Sequence, residues 1–469
     1  MAGLAPRVMA GLVPATHDFL GTSMKSLSLR SHPNAHESTH PMAPPDPLAI
    51  KAAVLAQRPA MQALFDQIRQ DGLDEPGVSR DPYGPGEQRA HATVASAAAA
   101  LGLEITGDAA ANLYMTLPGR DRAKPAIVIG SHLDSVPHGG NFDGAAGVLA
   151  GLAAVTAIRR LGLTPACDVT VMAIRAEESV WFQVSYIGSR GSLGTLPDGA
   201  LDVRRRDTGH TLADHITACG GNPDALRARV RHFDPSRIRA YLELHIEQAP
   251  SLVEARLPVA VCDAIPGNFR YPNAWIEGRH DHVGLPRRFR RDAAMAGAEC
   301  AMALDLLWAG YDRQGIPMAC TFGRFHTDPA VHGLTIVPGA FHFSLDVRAY
   351  DETVLAELHT EFERIVQDVE QRRAVCFHLG AKASAAVGHI DPNIKAALQA
   401  AALTQGHCVL HINSPASHDA AAFGEAGVPM GMLFVRNENG SHNPYEAMSI
   451  GDFLDGVAIL AQWLATEAA

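Results

Sequence analysis

The sequence predicts an α/β protein: a mixed, mostly parallel sheet flanked by helices, with a smaller α+β unit inserted into it. Three observations carry this. Ala126–Gly130 (AIVIG) and Asp168–Ile174 (DVTVMAI) are short apolar runs separated by a long helix of small residues, the pattern of a βαβ crossover between buried parallel strands. Near Ile265 the character changes to Arg- and His-rich loops and an alternating strand. After about residue 383 the βα pattern returns.

Taken in order, residues 48–71 carry apolar groups at helical spacing, and an alanine-rich helix is expected over 87–101. The strand 126–130 ends in Ser-His-Leu-Asp, a Gly-rich loop follows, and Gly144–Arg160 reads as the crossover helix. Strand 168–174 leads into Ala-Glu-Glu, and Tyr241–His245 reads as another strand end bearing polar groups. In the inserted part, a helix is expected at about Asp292–Trp308. In the strand Ala340–Arg348, Phe341, Phe343, Leu345 and Val347 alternate with His342, Ser344, Asp346 and Arg348, which suits an antiparallel strand with one wet face. A helix at about Glu352–Arg372 follows. The last part holds a helix near 391–404, strands near Val409–Ile412 and Met430–Val435, and a final helix over 450–465. The larger domain is therefore expected to be discontinuous, 48–264 plus 383–469, around an insert at 265–382.

Length and composition agree. At 469 residues the chain exceeds one ordinary core, so two domains are expected. With 39 basic and 50 acidic residues the net charge is -11, which argues against nucleic acid or an anionic membrane as partner. The seven cysteines include no CxxC pair, so neither a disulfide framework nor a thiolate zinc site is expected, and a cytoplasmic setting fits. No run of 18 apolar residues occurs, so no membrane span is expected. Residues 1–47 open with the near-duplicates MAGLAP and MAGLVP and continue Pro- and His-rich. They lack the layout of a signal peptide and read as disordered, with Met24 and Met42 as alternative starts.

Five segments place acids or imidazoles at strand ends, where open α/β sheets build their sites. In Ser131-His132-Leu133-Asp134 a histidine can bind metal while Asp134 takes its other ring N–H; a loop histidine and a capping aspartate are the plainer alternative. Asp143, just before a helix, is an ordinary N-cap, yet its two oxygens can bridge two cations. Glu177 and Glu178 are adjacent, so one can bind metal while the other moves a proton; alone they would be a solvated acidic loop. In Glu243-Leu244-His245-Ile246-Glu247, His245 shares a strand face with two acids. His442 lies in Gly440-Ser441-His442-Asn443-Pro444, otherwise a turn. Together these supply nitrogen and oxygen ligands for two divalent ions, and the absence of thiolates suits zinc or manganese.

The segments GSHLDSVPHGGNFDGAAGVLAGLAAV, AEES, GSRGSLG, YLELHIEQAP, VPGAFHFSLDVR, SPASHDAAAF and GSHNPYE occur in that order. In them the chain resembles the zinc-dependent amidases that include N-carbamoyl-L-amino-acid hydrolases and allantoate amidohydrolases, a branch of the two-metal aminoacylases and peptidases. The resemblance covers roughly residues 75–465. It implies a metallopeptidase-like catalytic domain with a lid and dimerisation insert, and a homodimer formed through that insert. It implies two divalent ions per subunit, zinc foremost and manganese, cobalt or nickel as alternatives. One ion would be held by His132, Asp143 and His245, the other by Asp143, Glu178 and His442. Glu177 would be the general base, Asp134 would orient His132, and His282 would help stabilise the oxyanion.

The departures fall where the family holds the far end of its substrate. The usual Glu-Glu-Gly-x-Arg-Phe is here Glu177-Glu178-Ser179-Val180-Trp181-Phe182, without the arginine. The usual Asn-His-Ala-Gly-Thr-Thr-Pro-Met is here Asp281-His282-Val283-Gly284-Leu285-Pro286, one residue shorter before Arg290 and Asp292. Of the arginines in 287–291, Arg290 is assigned to a substrate carboxylate, with Arg270 and Asn268 as further candidates. His418 is expected to line the pocket, with a core role as the alternative. The expected activity is hydrolysis of a non-peptide C–N bond in a small, carboxylate-bearing amide, carbamoyl or ureido compound. An aminoacylase or small peptidase with the same metal centre, and a non-catalytic metal-binding protein, are the competing readings.

Overall fold

The computed structural model describes residues 46–205 and 207–467, which form one compact unit. The expectation for residues 1–47 falls almost wholly outside them. Helices α1 (Pro47–Leu55), α2 (Arg58–Asp71) and α3 (Pro85–Ala100) come first. The single helix read over 48–71 is thus two. Pro59 sits at the start of α2, where it can donate no backbone hydrogen bond to the preceding turn, and the chain breaks at Gln57.

Strands β1 (Glu104–Gly107), β2 (Leu113–Leu117) and β3 (Ala126–His132) lead to helix α4 (Ala145–Arg160) and strand β4 (Val169–Ile174). Strands β5 (Ile238–Ile246) and β6 (Val259–Cys262) follow. Next come β7 (Gly267–Glu277), α5 (Ala293–Arg313), β8 (Met318–Thr327), β9 (Ala340–Ala349), α6 (Glu352–Arg373), β10 (Cys376–His378) and β11 (Ala383–Ala385). The chain closes with α7 (Pro392–Thr404), β12 (Leu410–Ile412), α8 (Asp419–Glu425), β13 (Met430–Val435) and α9 (Ile450–Glu467).

The main sheet has eight strands in the order β12-β6-β13-β5-β3-β4-β2-β1. β13, β5, β3 and β4 run parallel, and β6 and β2 are antiparallel to their inner neighbours. Its central strands are buried on both faces. Ile127 and Ile129 pack with α4 and α9 on one side, while Val128 joins Met172, Tyr241 and Phe434 on the other. That two-sided burial explains why these strands read as unbroken apolar runs. α4 is built of Ala and Gly because it lies pressed to the sheet: a Cβ at Gly147 would come within 2.3 Å of the Leu244 carbonyl.

The second sheet has strand order β8-β9-β7-β10, with β11 pairing a further stretch of β7. One face carries a separate core of Phe341, Phe343, Leu345 and Val347 packed with Phe269, Ile276 and residues of α5 and α6. The other face carries the polar partners of that alternation, and at its end Arg348 Nη1 donates to the Pro415 carbonyl of the loop after β12 (3.4 Å).

Candidate metal centre

The carboxyl ends of β3, β4, β5 and β13 converge on one cleft. β3 delivers His132 as its last residue, and β5 delivers His245 one residue before its end. The loop after β3 brings Asp143 back to the entrance of α4. Gly144, at φ +66°, is required there: a Cβ would stand 2.5 Å from the His132 ring. The turn after β4 presents Glu177 and Glu178, with Ala176 held at φ 55°. That conformation costs a non-glycine residue about 1–2 kcal/mol. It is fixed by Glu87, whose carboxylate accepts from Ala176 N–H (3.1 Å) and pairs with Arg175 (2.7 Å). The loop after β13 supplies His442.

These groups form two triads that share one carboxylate. The donor atoms of His132, Asp143 and His245 gather within 4.8 Å of one another, as do those of Asp143, Glu178 and His442. His245 Nε2 and His132 Nε2 lie 3.2 and 3.5 Å from Asp143 Oδ1. His442 Nε2 lies 3.5 Å from Asp143 Oδ2 and 3.3 Å from Glu178 Oε1. Ligands about 2.0–2.1 Å from a tetrahedral zinc would stand roughly 3.3 Å apart, so these spacings match a shared ion.

The electrostatics agree. His132 Nδ1 is engaged by Asp134, at 3.1 Å from its carbonyl and 3.3 Å from its carboxylate, and His245 Nδ1 by the Ile246 carbonyl at 2.9 Å. With Nδ1–H committed, each neutral ring turns an Nε2 lone pair toward a carboxylate oxygen; His245 Nε2 also accepts from Gly144 N–H at 3.3 Å, and a positive charge between the rings and Asp143 relieves the facing lone pairs. Without an ion, a proton on the ring takes that place. Burial pulls the His132 and His245 imidazoles down, but the facing carboxylates outweigh it and hold both above the usual range. His442 is raised likewise to about 9, burial again being outweighed by Glu178 and Asp143. The residues therefore fit a pair of divalent cations.

Around the triads stand further supports, of which Arg80 and Glu446 were not singled out in the sequence. Asp134 accepts from the backbone N–H of Glu177 and of Glu178, both at 3.0 Å, so it aims the double acid as well as His132. Burial lifts the Glu177 carboxyl well above its ordinary range. The fully buried Arg80 donates to the carbonyls of Leu133 (2.6 Å) and Asp143 (3.3 Å), tying down the loop between them. Glu446 accepts from the Phe142 and Asp143 N–H groups, and Gln248 Nε2 donates to Asp143 Oδ2 at 2.8 Å. Burial and the neighbouring Asp143 raise Glu446 to about 7.

The cleft's opposite wall belongs to the second sheet. Arg270 and Arg348 line the cleft from that sheet, and Ser185, Ser417 and His418 line it from loops that follow strands of the main sheet. Both guanidiniums grip Asp346, at 2.8 Å from Arg270 Nε and 3.1 Å from Arg348 Nε. Burial pushes the Asp346 carboxyl up, and the two arginines overcome this and hold it below the usual range.

The other expected substrate residues lie elsewhere. Asn268 shares the Arg270 face of β7 but is buried beside the cleft rather than lining it, and its amide Nδ2 has no hydrogen-bond partner among the described residues. His282 is exposed on a two-residue strand, its Nδ1 accepting from Gly284 N–H. Arg290 is spent on its own loop, donating to the carbonyls of Leu285 (2.8 Å) and Val283. It lines a different hollow, with Arg287, Glu299, Arg372 and Arg373. Arg290, expected to meet a substrate carboxylate, thus lies apart from the residues that line the cleft in this chain, with its donors turned to its own loop. Arg348, which takes the place facing the metal side, stands among the polar positions of the alternating strand.

A model of the peptidase family M20/M25/M40 matches residues 128–466. The chain belongs to that family. It is 32% identical over 386 residues to the N-carbamoyl-L-amino acid amidohydrolase of Geobacillus stearothermophilus, covering 82% of this chain and 92% of that protein. It is 30% identical over 422 residues to the allantoate amidohydrolase of Escherichia coli (strain K12), covering 87% and 97%. Among solved structures, AtUAH in complex with glyoxylate matches with a TM-score of 0.77 at 25% identity, covering 89% of this chain and 99% of that one. An amidase of the hydantoinase/carbamoylase family from Burkholderia vietnamiensis matches with a TM-score of 0.74 at 26% identity, covering 88% and 97%. These matches agree with the mixed α/β fold and with the resemblance drawn from the motifs.

Proposed function

We propose that this chain hydrolyses a non-peptide C–N bond in a small N-carbamoyl amino acid or ureido acid. It is a metal-dependent amidohydrolase acting on linear amides. The observation that carries the reading is the cleft itself: two triads joined at Asp143 on one wall, and Arg270 with Arg348 on the other. His132, Asp143 and His245 would hold one divalent ion and Asp143, Glu178 and His442 a second; the nitrogen and oxygen donors suit zinc or manganese. When bound, such ions polarise a carbonyl and acidify water.

The chain's own groups supply the rest. Glu177 lines the cleft beside both triads, with its backbone fixed by Asp134. It is placed to accept the proton of the attacking water and return it to the leaving nitrogen. Arg348 and Arg270 would orient a substrate carboxylate by charge-assisted hydrogen bonds, in competition with Asp346. His418, buried at the rim of the same cleft, donates from Nε2 to Ser414 Oγ (2.8 Å), because that hydroxyl's hydrogen goes to the Ala416 carbonyl (2.7 Å). A cavity volume of ≈ 100 Å³ suits a compact substrate. Pairing of two copies through the second sheet is part of this reading. β8 is an edge strand, and α5 exposes Met295, Met302 and Leu306 (48%, 59% and 67% accessible) along one side.

The test is product chemistry. Metal-loaded protein should release ammonia from N-carbamoyl amino acids faster than it cleaves N-acetyl amino acids or dipeptides. The reverse order would establish the aminoacylase or peptidase reading. No turnover with metal bound would favour a non-catalytic role. Glu177→Gln should keep its metal and lose about 10²–10⁴-fold in kcat; wild-type turnover in that variant rejects Glu177 as the base.

A further inference from the structure

Beside the shared carboxylate a single hydrogen serves two acceptors. Ser441 Oγ lies 2.6 Å from Asp143 Oδ2 and 2.6 Å from Glu446 Oε2. A hydroxyl has one hydrogen, so Ser441 donates to one carboxylate at a time. Asp143 Oδ2 is the oxygen on the His442 side, and it also accepts from Gln248 Nε2 at 2.8 Å. Asp143 Oδ1, which faces His132 and His245, receives no amide or hydroxyl donor among the described residues. The two halves of the carboxylate are therefore unequal. A cation beside His442 must compete for Oδ2 with two hydrogen-bond donors, whereas one beside His132 and His245 meets an oxygen free of them.

Glu446 is held where it can relieve that competition. It is buried, and its Oε1 is anchored by the N–H groups of Phe142 (2.8 Å) and Asp143 (3.3 Å), so Oε2 is left facing Ser441. We propose that Glu446 is the positioning residue that loads the second metal position: it draws the Ser441 hydroxyl away from Asp143 Oδ2 and frees that oxygen for the ion shared with Glu178 and His442. The inference rests on the two-ion reading above and adds an order to it. The His132–His245 position fills first and tightly, and the Glu178–His442 position fills second, under the control of the Ser441 hydroxyl.

The isosteric variant Glu446→Gln tests this. The two backbone N–H groups keep its carbonyl oxygen in the place of Oε1, so the amide nitrogen faces Ser441 and donates to it. The hydroxyl then has only Asp143 Oδ2 as acceptor. Full-length, chelator-stripped protein is titrated with Zn²⁺ in a calorimeter, and the two binding steps are resolved by stoichiometry. In E446Q the second step should weaken about 10–100-fold while the first stays within about threefold, the range seen when groups supporting a ligand are altered. Removing the hydroxyl as well, in S441A/E446Q, should return the second step to within about threefold of S441A alone. An unchanged second step in E446Q, equal weakening of both steps, or no recovery in the double variant would each overturn the proposal. So would a second step weakened tenfold or more in S441A by itself, since the hydroxyl would then be a support rather than a competitor. A wild-type chain that takes up no Zn²⁺ overturns the metal reading and this inference with it. Normal wild-type loading with an unaltered E446Q overturns the inference alone.

Discussion

Two regions of this molecule carry dense charged motifs, and they are built in opposite ways. At the carboxyl edge of the main sheet, His132, Asp143 and His245 are buried, each delivered by a strand end or a helix entrance, and their lone pairs face one another. In the loop 281–291, His282 and the arginines Arg287, Arg288 and Arg291 lie largely in solvent, and Arg290 satisfies itself on its own backbone. Buried like-natured acceptors that cannot all be satisfied by the chain call for a cation. Exposed or self-satisfied charges call for nothing. The contrast shows why a constellation of charges has to be judged by what its partners leave unfinished.

Substitution at the shared carboxylate should have the largest effect. Asp143→Ala removes a ligand from both positions, so bound metal and activity should both be lost; full activity measured alongside metal content would break the account of the main sheet. On the facing wall, Arg348→Ala removes a charged hydrogen-bonding group worth about 1.5–3 kcal/mol, which should raise KM roughly 10–100-fold for a carboxylate-bearing substrate. In the exposed loop, Arg290→Ala should shift KM far less than Arg348→Ala. It should instead lower unfolding stability by about 1–3 kcal/mol, through the loss of two hydrogen bonds that close the loop. A larger KM effect at Arg290 than at Arg348 would reverse the comparison.

The smallest effect is a pH dependence. Because Asp346 is held below its ordinary range by Arg270 and Arg348, its contribution to stability is complete above the unfolded-state value near about 3.9 and is lost as pH falls through the folded value. Asp346→Asn should therefore differ most from wild type near neutrality and converge with it in acid; a gap that widens as pH falls would contradict the pairing.

Much of this was legible in the sequence. β3, β4 and β13 are buried on both faces and so appear as apolar runs, and His132, Asp143, Glu178 and His442 lie at or after such a strand, while His245 lies on β5, whose polar residues alternate with apolar ones. β7 was hidden because Pro272 and Asn273 interrupt it at a bulge between Tyr271 and Ala274. β1 was hidden because it is exposed throughout. The supports were illegible for a different reason. Arg80 acts from 61 positions before Asn141, and Glu446 from 303 positions after Asp143, so only the folded chain reveals that they hold one loop. The placement of Arg290 was illegible because a motif gives a residue's type and neighbours, and says nothing of which carbonyls its donors meet.

The central claim is that Asp143 joins two cation positions. Anomalous diffraction from crystals of the zinc-loaded protein tests it directly. The account predicts two peaks flanking the Asp143 carboxylate, one beside His132 and His245 and the other beside Glu178 and His442. A single peak, or peaks that leave Asp143 uncoordinated, would contradict it.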